Sequence, residues 1–170
     1  MRVMIPAAVT TLLVGQAQAA DLAVKVEIPR LNVAEYHRPY VAVWIEGPDQ
    51  KVAANLAVWY DVKQRNDEGT KWLKDMRQWW RRTGRELKMP VDGVSGATRP
   101  AGEHELSFTE GKAPLGQLPA GDYQLVVEAA REVGGRELLR VPFQWPPKAP
   151  ATQSAKGETE LGSVSVSIKP

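Results

Sequence analysis

Short segments of apolar–polar alternation, separated by turn residues, constrain the fold of this chain more than any other feature. Residues 22–28 alternate strictly, which is typical of a strand with one buried face. Further strand patterns follow at 40–46, 51–61, 103–108, 123–131, 137–145 and 161–169. They lack the alternating strand–helix order that builds parallel sheets. The pattern therefore predicts a mainly β fold, an immunoglobulin-like antiparallel β-sandwich.

One segment, residues 70–83, changes period and predicts an amphipathic helix inserted between strands. On a helix its apolar residues share an arc of about 120°; they are Trp72, Leu73, Met76, Trp79 and Trp80. Thr70 is the expected N-cap and Gly84 the expected stop. The opposite, basic face is typical of a solvated surface, although it also suits an anionic partner or membrane headgroups.

The N-terminal residues 1–19 have the pattern of a secretory signal peptide. Arg2 precedes an apolar run, and Ala17-Gln18-Ala19 is an A-x-A cleavage site. No later segment approaches about 20 apolar residues, so we expect an exported, periplasmic protein that is not integral to the membrane.

By its composition, the exported chain divides into three segments. We predict a sandwich domain over residues 20–145, with the helix inside it. Residues 146–160 are rich in Pro, Ala, Ser and Gly and predict a flexible linker. Residues 161–170 predict a final strand or a frayed tail.

Several chemistries are disfavoured by residue content. The chain has no cysteine, which excludes iron–sulfur clusters, Cys-ligated zinc and c-type haem attachment. His37 and His104 have no metal-ligand spacing, so no metal site is expected. A net charge of +2 and the predicted export argue against nucleic-acid binding. Residues 93–97 depart from the G-x-S-x-G elbow of serine hydrolases, and a strand rather than a helix follows them. No catalytic residue is assigned.

Residues 92–98, Asp-Gly-Val-Ser-Gly-Ala-Thr, lie between the predicted helix and the next strand. Asp-Gly and Ser-Gly predict a turn, in which Asp92 and Ser95 can hydrogen-bond to the backbone. Gly96 and Ala97 leave room beside the hydroxyl of Thr98, as a modification site would.

This stretch resembles D-G-x-S-G-A-T, the acceptor motif of proteins flavinylated by an exported FMN transferase. The resemblance implies that Thr98 carries FMN through a phosphoester bond, with FAD as donor. It implies a cofactor-binding role for the other motif positions, and Arg99 is the expected phosphate neighbour. These positions are Asp92, Gly93, Ser95, Gly96 and Ala97. Trp79 and Trp80 are candidates for stacking on the flavin, although packing on the sheet as core residues adequately explains both.

A longer resemblance covers residues 40–46, 71–80, 92–102 and 118–132. Together these stretches are similar to predicted periplasmic proteins classed as domain of unknown function family 2271. The resemblance implies an exported β-sandwich associated with PepSY-type membrane reductases and the flavin transferase. We therefore expect an electron carrier that exchanges electrons with a membrane reductase and is not itself an enzyme. The alternative is a non-redox immunoglobulin-like binding or accessory module, in which residues 92–98 are only a loop.

Overall fold

The computed structural model describes residues 19–170, so nearly all of the predicted signal peptide lies outside the described residues. The described chain is mainly β and forms two sheets. Its strands are β1 Asp21–Ile28, β2 Tyr40–Glu46, β3 Val52–Tyr60, β4 Ser95–Ala97, β5 Gly102–Thr109, β6 Gly121–Ala130, β7 Arg136–Trp145, β8 Ala151–Lys156 and β9 Ser163–Lys169. A helical insertion joins β3 to β4.

The two sheets have the strand orders β5-β1-β9-β8 and β4-β3-β2-β6-β7. All neighbours are antiparallel except β3 and β4, which are parallel. Strands β2, β6 and β7 adjoin as the C, F and G strands of immunoglobulin domains do, and β1 adjoins β5 as B adjoins E. The predicted sandwich is thus confirmed.

The core lies between the two sheets and follows from the alternation in sequence. In β1 every second residue from Leu22 to Ile28 is buried, and these side chains face Val41, Val43 and Ile45 of β2. Strand β2 is buried on both faces, because the helical insertion covers the outer face of its sheet. This explains its continuous apolar run.

The insertion differs from the single helix predicted over 70–83. A 3₁₀ stretch spans Arg65–Asp75, a short α-helix, α1, spans Arg77–Arg82, and a 3₁₀ turn spans Gly84–Glu86. The residues buried under the insertion are Leu73 of the 3₁₀ stretch, Met76 at the junction and Trp79 of α1. Trp72 is left on the exposed side, which contradicts its expected place in the apolar stripe.

At both ends of the predicted helix, the structure shows contacts other than the expected ones. Thr70 does not cap α1, and its hydroxyl donates instead to the carbonyl of Asp67. Glu128 of β6 takes the capping role, since its carboxylate accepts the backbone N–H groups of Gln78 at 3.1 Å and Trp79 at 2.7 Å. At Gly84 a Cβ atom would lie 2.5 Å from the Trp79 ring, so close packing requires this glycine.

The flexible linker predicted for residues 146–160 is wrong, because Ala151–Lys156 forms β8 and pairs with β9. Strand β9 in turn lies between β1 and β8, so the end of the chain is an integral strand of the sandwich. Edge strand β8 exposes nearly all its side chains, and it therefore lacks the apolar alternation that identifies strands in sequence.

Two acidic residues fix this C-terminal hairpin to the turn between β6 and β7. Glu137 accepts the backbone N–H groups of four consecutive residues, 158–161, at 2.7–3.0 Å. Glu160 is buried and accepts two hydrogen bonds from Arg131, at 2.8 and 3.1 Å. The bond to Glu160 raises the pKa of the Arg131 guanidinium.

Candidate functional site

Residues 91–95 form a tight turn that leads into β4. The carbonyl of Val91 accepts the N–H groups of Val94 at 3.2 Å and Ser95 at 2.9 Å. Gly93 adopts φ +68°, a conformation that favours glycine. The Ser95 hydroxyl accepts the N–H of Val91 at 2.9 Å, which confirms the expected side-chain bond for Ser95. Asp92 is exposed and forms no such bond within residues 19–170.

The second half of the motif is a strand, not a free loop. Ser95, Gly96 and Ala97 pair in parallel with the last three residues of β3, in the register Gly96 to Trp59. The N–H of Val58 donates to the carbonyl of Val94 at 2.9 Å. Strand β4 is the edge of its sheet, so one side of its backbone is open to a partner.

Thr98 follows β4 directly, where the chain leaves one sheet to enter the other at Gly102. Ala97 and Arg99 are exposed, and Thr98 is partly exposed. The hydroxyl thus lies at the open edge of the sandwich, on a backbone fixed before it by β4 and after it by β5.

Trp59 lies against this segment and was not singled out by its sequence pattern. A Cβ atom on Gly96 would be 3.5 Å from Cδ1 of the Trp59 ring, and the Arg99 guanidinium carbon lies 5.4 Å from the ring centroid. His104 meets the ring edge-on at 5.7 Å, and its Nε2 is 2.8 Å from the carbonyl of Pro100. The register between β3 and β4 brings Gly96 to Trp59, and β5 of the other sheet supplies His104. No sequence spacing encodes either contact.

The two tryptophans predicted as stacking candidates lie in the insertion. Trp79 is fully buried, and its Nε1 donates to Asn55 at 3.0 Å, so neither face of the ring is free for a flavin. Trp79 is therefore a core residue. Trp80 is partly buried and packs on the apolar cluster between the insertion and the five-stranded sheet. The centroid of its ring lies 6.4 Å from that of Trp79, at a tilt of 51°.

An open groove of about 1330 Å³ lies at the far end of the sandwich from Thr98. It is lined by the β2–β3 turn and by the start of β6 and the end of β7. Strand β3 begins beside this groove and ends beside β4, about 25 Å away at the usual rise per residue. This groove is thus separate from the motif.

Within residues 19–170, no group of three or more His, Asp or Glu side chains is arranged to hold a metal ion. The same part of the chain contains no helix long and apolar enough to cross a bilayer.

The chain was compared with known families, curated proteins and solved structures. A family described as "Predicted periplasmic protein (DUF2271)" matches residues 21–163, which include every strand through β8 and the whole motif. No curated protein and no solved structure matched the chain. Because the match extends over most of its length, the chain belongs to the predicted periplasmic protein family DUF2271.

Proposed function

We propose that this protein is a periplasmic electron carrier with FMN attached covalently to Thr98. The observation that carries the proposal is the complete D-G-x-S-G-A-T sequence at residues 92–98, held on an edge strand with its threonine accessible. The attached flavin would supply reversible electron and proton uptake, exchanged with a PepSY-type or other reductase in the membrane. The protein would be a substrate of the FMN transferase and would catalyse no reaction alone.

The local backbone fits a modification site. Gly93, Gly96 and Ala97 present almost no side chain around Thr98, so a transferase can approach the hydroxyl closely. The open side of β4 offers unpaired backbone groups that the transferase can bind as an added strand. Ser95 closes the turn from within, which positions the motif before the enzyme arrives.

The attachment reaction is balanced without any further reactant. A bond forms between Oγ of Thr98 and the phosphorus of the FMN half of FAD, while the phosphoanhydride bond to AMP breaks. The hydroxyl proton leaves to a base of the transferase, and AMP is the leaving group. Such displacements depend on positioning, which a fixed edge strand supplies.

Arg99 is the cation next to the proposed phosphoester. Its guanidinium lies on the Trp59 ring rather than in an ion pair, so it is available to a phosphate group at a small energetic cost. Trp59 is itself a core residue, with 2% of its surface exposed, so its role here is to hold Arg99 beside Thr98 and not to offer a free face to the flavin.

Co-expression with an exported FMN transferase tests the proposal. We expect a yellow protein whose flavin fluorescence survives denaturing electrophoresis. Thr98→Val should abolish this fluorescence, whereas Thr98→Ser should retain it because the hydroxyl remains. Thr70→Val, which removes a surface hydroxyl elsewhere, is the matched control and should be labelled normally. A colourless wild-type protein of unmodified mass refutes the proposal.

The second candidate is the non-redox binding or accessory module, and the open groove favours it. Arg140, Gln144 and Lys148 at the groove rim could bind a polar ligand. Under this function, Thr98→Val would leave the cellular role of the protein unchanged, while substitutions in the groove would abolish it.

A further inference from the structure

Charge is distributed unevenly over the described chain. Residues 63–88, the basic insertion, contain nine Lys and Arg against four Asp and Glu, a net charge of +5. The rest of residues 19–170 contains twelve Lys and Arg against sixteen Asp and Glu, a net charge of −4. A protein with this polarity is oriented by an anionic surface so that the basic insertion faces it.

The basic insertion displays its cations on one side, because its other side is packed on the sheet. Leu73, Met76 and Trp79 are buried against β2, β3 and β6. All nine cationic side chains are exposed. Among residues 19–170, no carboxylate forms an ion pair with Lys74, Arg77 or Arg81, so their charges are not neutralised within the fold.

The exposed ring of Trp72 favours a lipid surface over a partner that binds through charge alone. It is 52% exposed, between Lys71 and Lys74 on the outer side of the 3₁₀ stretch. Tryptophan is enriched at the boundary between lipid headgroups and hydrocarbon, where its ring is buried and its N–H stays hydrated. Long Lys and Arg side chains beside it can extend to the phosphates.

We propose that the basic insertion binds anionic phospholipid headgroups and holds the protein against a membrane surface, with Trp72 inserted at the headgroup level. The remaining surface, with its net negative charge, is repelled by the same membrane and faces away. This inference is independent of flavin attachment, since it uses no residue of the motif. It would, however, keep a carrier close to a membrane-bound partner.

Vesicle co-sedimentation of the protein purified from the periplasm tests this proposal. Vesicles of phosphatidylcholine with about one third phosphatidylglycerol should bind it, whereas pure phosphatidylcholine should not. Binding should weaken strongly in about 0.5 M NaCl, where screening shortens the range of these attractions. Lys74→Gln/Arg77→Gln/Arg81→Gln should reduce partitioning by roughly a hundredfold, since each basic residue contributes about fivefold, or about 1 kcal/mol.

The matched control neutralises three exposed lysines outside the insertion, Lys112→Gln/Lys148→Gln/Lys156→Gln. It changes the net charge equally and should retain vesicle binding. Trp72→Ser should abolish the blue shift of tryptophan emission on binding. It should also lower the vesicle partition coefficient several-fold. The proposal is overturned if the wild type does not bind acidic vesicles, a result that would favour an acidic protein partner. It is also overturned if the control loses as much binding as the insertion variant.

Discussion

Glu128→Gln tests whether a single buried carboxylate fixes the insertion to the sheet. Glu128 is fully buried, and its two oxygens accept the N–H groups of Gln78 and Trp79 and the Nη1 of Arg136. An amide replaces one acceptor oxygen by a donor, which then faces another donor. Hydrogen bonds to charged groups contribute about 1.5–3 kcal/mol each, and Arg136 counts for less because it is partly exposed. We expect a loss of about 2–4 kcal/mol in the free energy of unfolding.

Urea denaturation followed by circular dichroism measures this loss, with Glu158→Gln as the exposed control. Amide hydrogen exchange supplies the local readout, because freed N–H groups at Gln78 and Trp79 should exchange faster while β1 and β9 stay protected. A change in unfolding free energy below about 0.5 kcal/mol, with unaltered exchange at both amides, would refute the capping role.

Three further predictions follow from local geometry. Burial opposes ionisation of Glu137, but hydrogen bonds from the backbone of Glu158, Leu161 and Thr159 prevail and lower its pKa. Its stabilising effect is therefore fully present above the unfolded-state pKa and is lost as the pH falls from there through the lowered folded-state pKa, so the stability difference between wild type and Glu137→Gln in urea denaturation should shrink over that acid range. Gly84→Ala places a methyl group against the Trp79 ring and should destabilise the fold by about 1–3 kcal/mol, measured by thermal denaturation; an unchanged Tm contradicts the packing argument. Arg99→Gln should slow flavinylation in a timed transferase assay with little effect on stability, and an unchanged rate contradicts the proposed phosphate contact.

Most strands could be predicted from the sequence because their burial is one-sided. Strand β1 alternates in sequence and in burial. For β2, the sequence pattern predicts the same bounds, residues 40–46, that the structure shows. Strands β4 and β8 were missed, since both are edge strands with small or polar residues. Their pairing depends on main-chain hydrogen bonds, which leave no periodic signal.

The insertion shows a different limit. Its apolar residues fit an α-helical arc, but only Leu73, Met76 and Trp79 are fully buried against the sheet, and the backbone changes from a 3₁₀ stretch to a short α-helix between them. The cap also comes from Glu128, about fifty positions away in sequence. Tertiary contacts of this kind cannot be inferred from local propensity.

For the candidate site, the sequence identified the motif but not its neighbours. Residues 92–98 stand out by their identity alone, and the turn at Gly93 follows from its composition. The proximity of Trp59 and His104 to this segment depends on two sheets meeting at one edge. Conversely, Trp79 was a candidate because of its residue type and is excluded by its burial.

Peptide mapping by tandem mass spectrometry, after co-expression with an exported FMN transferase, determines whether FMN is attached to Thr98. We expect the peptide containing residues 92–99 to gain the mass of FMN less water, with fragment ions assigning the addition to Thr98. An unmodified peptide from a protein exposed to active transferase, or flavin on any other residue, would contradict this expectation.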